Sequence, residues 1–65
     1  MRLTINGEAT EVAALSIADL IGRLGLDGRK LAIERNLEIV PRSAYAATPL
    51  AEGDRIEIVA FVGGG

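Results

Sequence analysis

The sequence of 65 residues predicts a single α+β domain, in which a mixed sheet of four to five strands carries one main helix on one face. Residues 1–6 and 55–62 alternate between apolar and polar side chains, which is typical of strands that bury one face. Apolar residues with helical spacing occur together with helix start and stop signals in residues 16–25. We therefore expect a domain over residues 1–62, followed by a flexible glycine tail over residues 63–65.

The chain opens with a strand and a hairpin signal. Residues 1–6 alternate, and the dipeptide Asn6-Gly7 follows, in which both residues tolerate the positive φ of a tight turn. A two-residue loop would place Ile5 opposite Glu8, whereas a bulged turn would shift the register. The sequence leaves both registers open.

The main helix has a well-defined beginning and end. Ser16 is a good N-cap with an acidic residue three positions later, and Leu15 before it is expected to pack against Leu20. Gly25 supplies a left-handed stop, while Gly22 inside the helix indicates either a strand lying very close or a weak helix. The stripe expected to lie on the sheet consists of Ile17, Leu20, Ile21 and Leu24.

The second half of the chain predicts two further strands before the last one. Residues 31–36 alternate again, and residues 39–40 predict a short edge strand because Pro41 after them cannot donate to a ladder. Residues 43–50 predict an irregular turn, and the turn at residues 52–54 begins the final strand. The side chains expected to cover the open end of the sheet are Tyr45 and Leu50.

The final strand is amphipathic in an unusual way. Its outward side begins with charged residues and ends with Val59 and Phe61, which need a second layer or a partner. The connection between the first and the last strand is long enough for the two strands to lie side by side and parallel. This is the β-grasp (ubiquitin-like) arrangement. The residues expected to face the core are Ile56, Ile58, Ala60 and Val62.

Composition excludes several classes of function. The sequence contains no cysteine and no histidine, so it offers no disulfide, thiol nucleophile or imidazole base. The net charge of -2 and the two aromatic residues, Tyr45 and Phe61, argue against nucleic-acid binding. We expect a cytoplasmic protein without a bound cofactor or metal, because no apolar run reaches membrane-spanning length and the dispersed carboxylates lack ligand spacing. Those carboxylates, expected to be solvated, are Glu34, Glu38, Glu52 and Asp54.

Glycine fills the last three positions of the sequence, and two interpretations of this segment are open. Three glycines lose much backbone entropy on ordering, so a frayed end is one interpretation. Alternatively, the segment is thin enough to enter a narrow channel and to present the α-carboxylate of Gly65 to an active site of another protein.

Five motifs occur together in this chain: the N-terminal Asn-Gly hairpin, the stretch ERN-x-EIVPRS from Glu34 to Ser43, the EGD turn, the strand RIEIV and the terminal FVGGG. Together they resemble the ThiS family of sulfur carriers in thiamine biosynthesis. The resemblance extends over the whole chain. A terminal diglycine is shared with ubiquitin-like proteins and with the small subunit of molybdopterin synthase, whereas the EIVPR stretch in so short a chain favours the ThiS family.

The resemblance implies a carrier that is not itself an enzyme. A ThiF-like adenylyltransferase would use ATP to activate the carboxylate of Gly65, and sulfur from a cysteine desulfurase system would convert it to a thiocarboxylate. Thiazole synthase (ThiG) would then accept the sulfur. Gly63 and Gly64 would give the end passage into the partner enzymes.

Four residues are candidates for partner binding. Phe61 and Val59 are predicted docking residues, although internal packing is nearly as well supported by their pattern. Val62 continues this strand, and Arg42 matches the family pattern, with a surface salt bridge as its alternative role.

The competing functions are a carrier of the molybdopterin type, a ubiquitin-like modifier and a β-grasp binding module with inert glycines.

Overall fold

The computed structural model describes residues 1–61, which form a five-stranded mixed sheet with one α-helix on one face. The sheet order is β2-β1-β5-β3-β4, with β1 and β5 parallel and the other neighbouring pairs antiparallel. The predicted α+β fold and the placement of the last strand beside the first are therefore confirmed. The elements are β1 (Arg2–Ile5), β2 (Glu8–Glu11), α1 (Ile17–Arg23), β3 (Leu31–Arg35), β4 (Glu38–Val40) and β5 (Arg55–Ala60), with short 3-10 helices at Gly28–Lys30 and Arg42–Ala44.

The first hairpin has the two-residue loop. Asn6 and Gly7 have φ angles of 50° and 81°, and Ile5 lies opposite Glu8 in the ladder. Positive φ at both loop positions matches the twist of the strands, which explains why this dipeptide sets the register. The bulged alternative is thereby excluded.

Helix α1 begins and ends as its sequence predicts. The Ser16 hydroxyl accepts a hydrogen bond from the Asp19 amide at 3.1 Å. At the other end Gly25 has a φ of 72°, and the amide of Leu26 donates to the Ile21 carbonyl at 3.0 Å. These bonds satisfy backbone groups that a short helix would otherwise leave without partners.

Leu15 does not pack against the helix, so the predicted contact with Leu20 is wrong. Its side chain is 77% exposed. The Leu15 amide donates to the Asp19 carboxylate at 2.9 Å, and its carbonyl accepts from the Leu50 amide at 3.1 Å. The backbone is thus held at both polar groups, with the side chain in solvent. Leu24, the last residue of the predicted stripe, is also exposed.

The core lies between α1 and the sheet. Tyr45 and Leu50 are buried in it, as predicted, and Val40 of the edge strand β4 reaches it from one side. The buried residues of this cluster are Leu3, Ala14, Ile17, Leu20, Ile21, Leu31, Ile33, Val40, Tyr45, Leu50 and Ile56.

Gly22 is the one interior position at which α1 can be strengthened by adding a methyl group. A Cβ there would meet no heavy atom within 4 Å, so no strand lies close and the glycine only weakens the helix. We expect Gly22→Ala to raise the free energy of unfolding by about 1 kcal/mol, because alanine loses less backbone entropy on folding. Urea unfolding of the two proteins measures this difference. An unchanged or lower free energy of unfolding would show that Gly22 does not weaken α1.

Asp54 is buried rather than solvated, which corrects the prediction from sequence. It is 6% exposed, and its carboxylate accepts hydrogen bonds from Arg35 Nε at 2.8 Å, Asn36 Nδ2 at 3.0 Å and the Ala51 amide at 2.8 Å. Glu52 is exposed, but both of its carboxylate oxygens accept one bifurcated hydrogen bond from the Arg2 amide, at 3.1 Å and 3.0 Å. The ERN and EGD motifs therefore contact each other and close one end of the sheet.

Strand β5 extends beyond the end of its neighbour β1. Beyond the last paired residues of β1, the Asn6 side chain replaces a strand: Oδ1 accepts from the Ile58 amide at 2.7 Å, and Nδ2 donates to the Ile58 carbonyl at 3.3 Å. Ala60 is exposed, so its predicted place in the core is wrong. Ala60 lies beyond the residues of β5 that pair with β1, so no strand within residues 1–61 covers that side of it, while Ile56 and Ile58 face the core as predicted.

Candidate functional site: the end of the last strand

The end of β5 presents two large apolar side chains to solvent. Val59 is 59% exposed and Phe61 is 64% exposed, and alternation along the strand puts both on the side of the sheet that faces away from α1. This side is called the outer face below. Internal packing of these two residues, the alternative considered from sequence, is excluded for the described part of the chain.

Phe61 is held to the sheet although it lies just beyond the strand. Its amide donates to the Lys30 carbonyl at 2.8 Å, which continues the β3–β5 ladder to the last described residue. The backbone of Phe61 is therefore held in a fixed position beside β3. Val62, Gly63, Gly64 and Gly65 lie outside the described residues.

A groove of about 340 Å³ lies next to Phe61. Phe61 and Arg42 both line it, so two predicted partner-binding residues that are distant in sequence belong to one surface. Arg42 is exposed and forms no salt bridge within residues 1–61, so its alternative role as half of a surface ion pair finds no partner there. Further lining residues include Arg29, Ala32, Ile39, Pro41 and Tyr45.

A second arginine at the rim is fixed by its neighbour. The Arg29 guanidinium donates to both carboxylate oxygens of Asp27, at 3.1 Å and 3.0 Å. These side-chain hydrogen bonds, together with one from the Arg29 amide, lower the pKa of Asp27 from 3.8 to about 2. Asp27 therefore stays ionised at neutral pH and partly neutralises Arg29, which leaves Arg42 as the less compensated cation of the groove.

Sequence reasoning missed Ile39 and Asn6. Ile39 is 75% exposed on the outer face, since it is paired with Glu34, whereas Val40 beside it faces the core. The alternation of these two residues would have given this placement. Asn6 was assigned only to the hairpin, and its contact with Ile58 depends on a strand register that the sequence does not contain.

Two other kinds of site, a metal site and a membrane-spanning helix, are not found in the described residues. Within residues 1–61, no group of three or more acidic side chains is arranged to hold a metal ion. The same part of the chain contains no helix that is long and apolar enough to cross a membrane. The structure thus points to an exposed, apolar strand end with an adjoining groove, which is suited to binding another protein.

Comparisons with known proteins agree on one family. The model of the ThiS family matches residues 3–65. A thiazole synthase of Paramagnetospirillum magneticum is 54% identical over 66 residues, which cover 100% of this chain and 20% of that protein. The sulfur carrier protein ThiS of Bacillus subtilis is 42% identical over 50 residues, which cover 77% of this chain and 76% of that protein.

Solved structures give the same answer for the fold. The crystal structure of the thiamine biosynthesis protein ThiS from Geobacter metallireducens superimposes with a TM-score of 0.86 at 33% identity, and the match covers 100% of both chains. The chain spans about one fifth of the length of the thiazole synthases that it matches.

Proposed function

This chain belongs to the ThiS family, and from that premise we propose that it is a sulfur carrier in thiamine biosynthesis with Gly65 as its reactive end. The observation that carries the proposal is the family match over residues 3–65, which includes the glycines that follow β5. The exposed Val59 and Phe61 support it, because a carrier must dock on partner enzymes without unfolding. The proposal includes a cytoplasmic location, because activation of the carboxylate consumes ATP.

The proposed chemistry takes place at the carboxylate and requires no side chain of this protein. A carboxylate is a poor acyl donor because its leaving group would be oxide, so a ThiF-like adenylyltransferase first converts it to an acyl-adenylate with release of pyrophosphate. The terminal sulfur of a persulfide from a cysteine desulfurase system attacks the acyl carbon and displaces AMP, which gives an acyl disulfide. A thiol then cleaves the sulfur–sulfur bond that came from the persulfide, forms a disulfide with the donor's remaining sulfur and leaves the thiocarboxylate on the carrier. The absence of cysteine and histidine from the sequence is compatible with this role.

The sulfur acceptor in this proposal is thiazole synthase. Two relatives named thiazole synthase contain a segment that matches 100% of this chain, so a segment similar to this chain is part of the thiazole synthase polypeptide there. We infer that this chain serves the same acceptor, which builds the thiazole ring of thiamine.

Intact-protein mass spectrometry tests the proposal. The protein is incubated with the adenylyltransferase, ATP and a persulfide donor, and the expected product has one oxygen replaced by one sulfur. The loaded protein is then offered to thiazole synthase and, separately, to molybdopterin synthase lacking its own small subunit. Sulfur transfer to thiazole synthase alone supports the proposal. No loading, or transfer to molybdopterin synthase alone, contradicts it.

Phe61→Asp tests the proposed docking role of the strand end. The substitution places a charge where a partner would bury an aromatic ring, so we expect the Kd for thiazole synthase to rise roughly tenfold or more. The free energy of unfolding should change by less than about 0.5 kcal/mol, because the side chain is largely exposed. Calorimetric titration and urea unfolding measure the two quantities.

Leu15→Asp is the matched control for this experiment. Leu15 is even more exposed than Phe61 but lies before α1, away from the outer face of the sheet. It should leave the Kd unchanged. Equal effects of both substitutions on binding would show that Phe61 has no specific role.

A further inference from the structure

Two glutamates lie directly opposite each other in the middle of the outer face. Glu34 of β3 and Glu57 of β5 are cross-strand partners in the antiparallel ladder, and both are half-buried. Like charges in this position destabilise a sheet. The pair therefore lowers the stability of the domain in its isolated form.

Two arginines lie in the same two strands as this pair, but neither forms a salt bridge with it. Within residues 1–61, neither Glu34 nor Glu57 forms a salt bridge. Arg55 lies on the same side of β5 two residues earlier, and Arg35 is bound to Asp54 instead. Both carboxylates remain available to a positive group from outside.

Exposed apolar groups border the two carboxylates. Ile39 is the partner of Glu34 on the opposite side, so Glu57, Glu34 and Ile39 form one row across three strands. Val59 and Ala32 form the adjacent row, and Phe61 follows Val59 two residues later on the same face. A half-buried acidic pair with an apolar border is complementary to a basic side chain with an apolar border.

We propose that this face binds thiazole synthase through an arginine or lysine of that enzyme, whose charge lies between Glu34 and Glu57 while its apolar neighbours cover Val59 and Ile39. A guanidinium is the better match, because its fork of donors can bind two carboxylates at once. The inference rests on the proposed function and adds the chemistry of the partner surface. The choice of thiazole synthase follows from the relatives that hold the two segments in one chain.

The test compares Glu34→Gln and Glu57→Gln with the control Glu8→Gln. Glu8 lies on the edge strand β2, is exposed and forms no salt bridge within residues 1–61, so the control changes the net charge equally. Affinity for purified thiazole synthase is measured by calorimetric titration at two salt concentrations, and thermal unfolding is recorded for each variant.

Opposite changes in the two measurements are expected for the outer-face variants. Each should unfold at a higher temperature, since a repulsion is removed, yet bind thiazole synthase about fivefold or more weakly, with less dependence on salt. Glu57→Lys, which can pair with Glu34 internally, should be more stable still and weaker in binding. Glu8→Gln should bind like the parent protein.

Two results would overturn the inference. One is that the outer-face variants bind thiazole synthase as tightly as Glu8→Gln does, which would show that Glu34 and Glu57 do not contact the enzyme. The other is weakened binding to the adenylyltransferase alone, which would assign the face to that enzyme. If the parent protein neither binds thiazole synthase nor accepts sulfur, the proposed function fails, and the inference fails with it.

Discussion

Removing Gly65, or adding one residue after it, is expected to abolish sulfur loading while the unfolding temperature stays unchanged. In the proposed chemistry, loading requires an acyl-adenylate at the carboxylate of Gly65. If the partner's active site admits only glycine, the length of the chain sets the position of the reacting carbon. Phe61 is the last residue bonded to the sheet within the described part, so a change four residues later should not alter the fold. Intact mass after incubation with the adenylyltransferase, ATP and a persulfide donor measures loading.

Gly22→Ala is a suitable control for these end variants. It adds one methyl group on the exposed side of α1 and should be loaded as well as the parent protein. Loading that persists after deletion or extension at Gly65 would show that the reactive group lies elsewhere.

Asp54→Ala is expected to lower the free energy of unfolding by about 2–4 kcal/mol, because it leaves buried donors without an acceptor. The donors are Arg35 Nε, Asn36 Nδ2 and the Ala51 amide, which join β3 to the loop before β5. A domain of 65 residues has a total stability of roughly 3–10 kcal/mol, so the loss is large. Glu38→Ala, an exposed acid without a salt bridge in residues 1–61, should change stability by less than about 0.5 kcal/mol.

The same carboxylate gives the protein a defined response to acid. Burial raises the pKa of Asp54, but the hydrogen bonds from Asn36, Ala51 and Arg35, with the charge of Arg35, outweigh it and lower the pKa below its ordinary value of 3.8. A lowered folded-state pKa adds stability above the unfolded-state pKa, and this stability is lost as the pH falls through the folded-state value. Asp54→Asn should therefore lose less stability than the parent protein between neutral pH and about pH 3. If the free energy of unfolding falls equally with decreasing pH in the two proteins, Asp54 does not have this role.

Local signals predicted the elements because they act through neighbouring residues. The Asn6-Gly7 turn, the cap at Ser16 and the stop at Gly25 each depend on a few consecutive backbone groups, and the structure confirms all three. The order of the outer strands could not be derived in this way, since it depends on which faces pack together.

The errors concern residues whose environment is set by distant strands. Asp54 was expected in solvent, because nothing in the sequence shows that Arg35 and Asn36 converge on it. Ala60 follows the correct alternation but is exposed, because it lies beyond the residues of β5 that pair with β1. For the candidate site, the alternation predicted the exposed Val59 and Phe61, whereas their proximity to Ile39 and Arg42 required the sheet order and the groove.

Fragment mass spectrometry of the sulfur-loaded protein tests the central claim most directly, because it locates the sulfur atom. The account predicts that every fragment containing Gly65 carries the substitution of one oxygen by one sulfur, and that fragments ending before Gly65 have their unmodified masses. Sulfur found in a fragment that ends before Gly65, or a protein whose mass never changes with functional partners present, would contradict it.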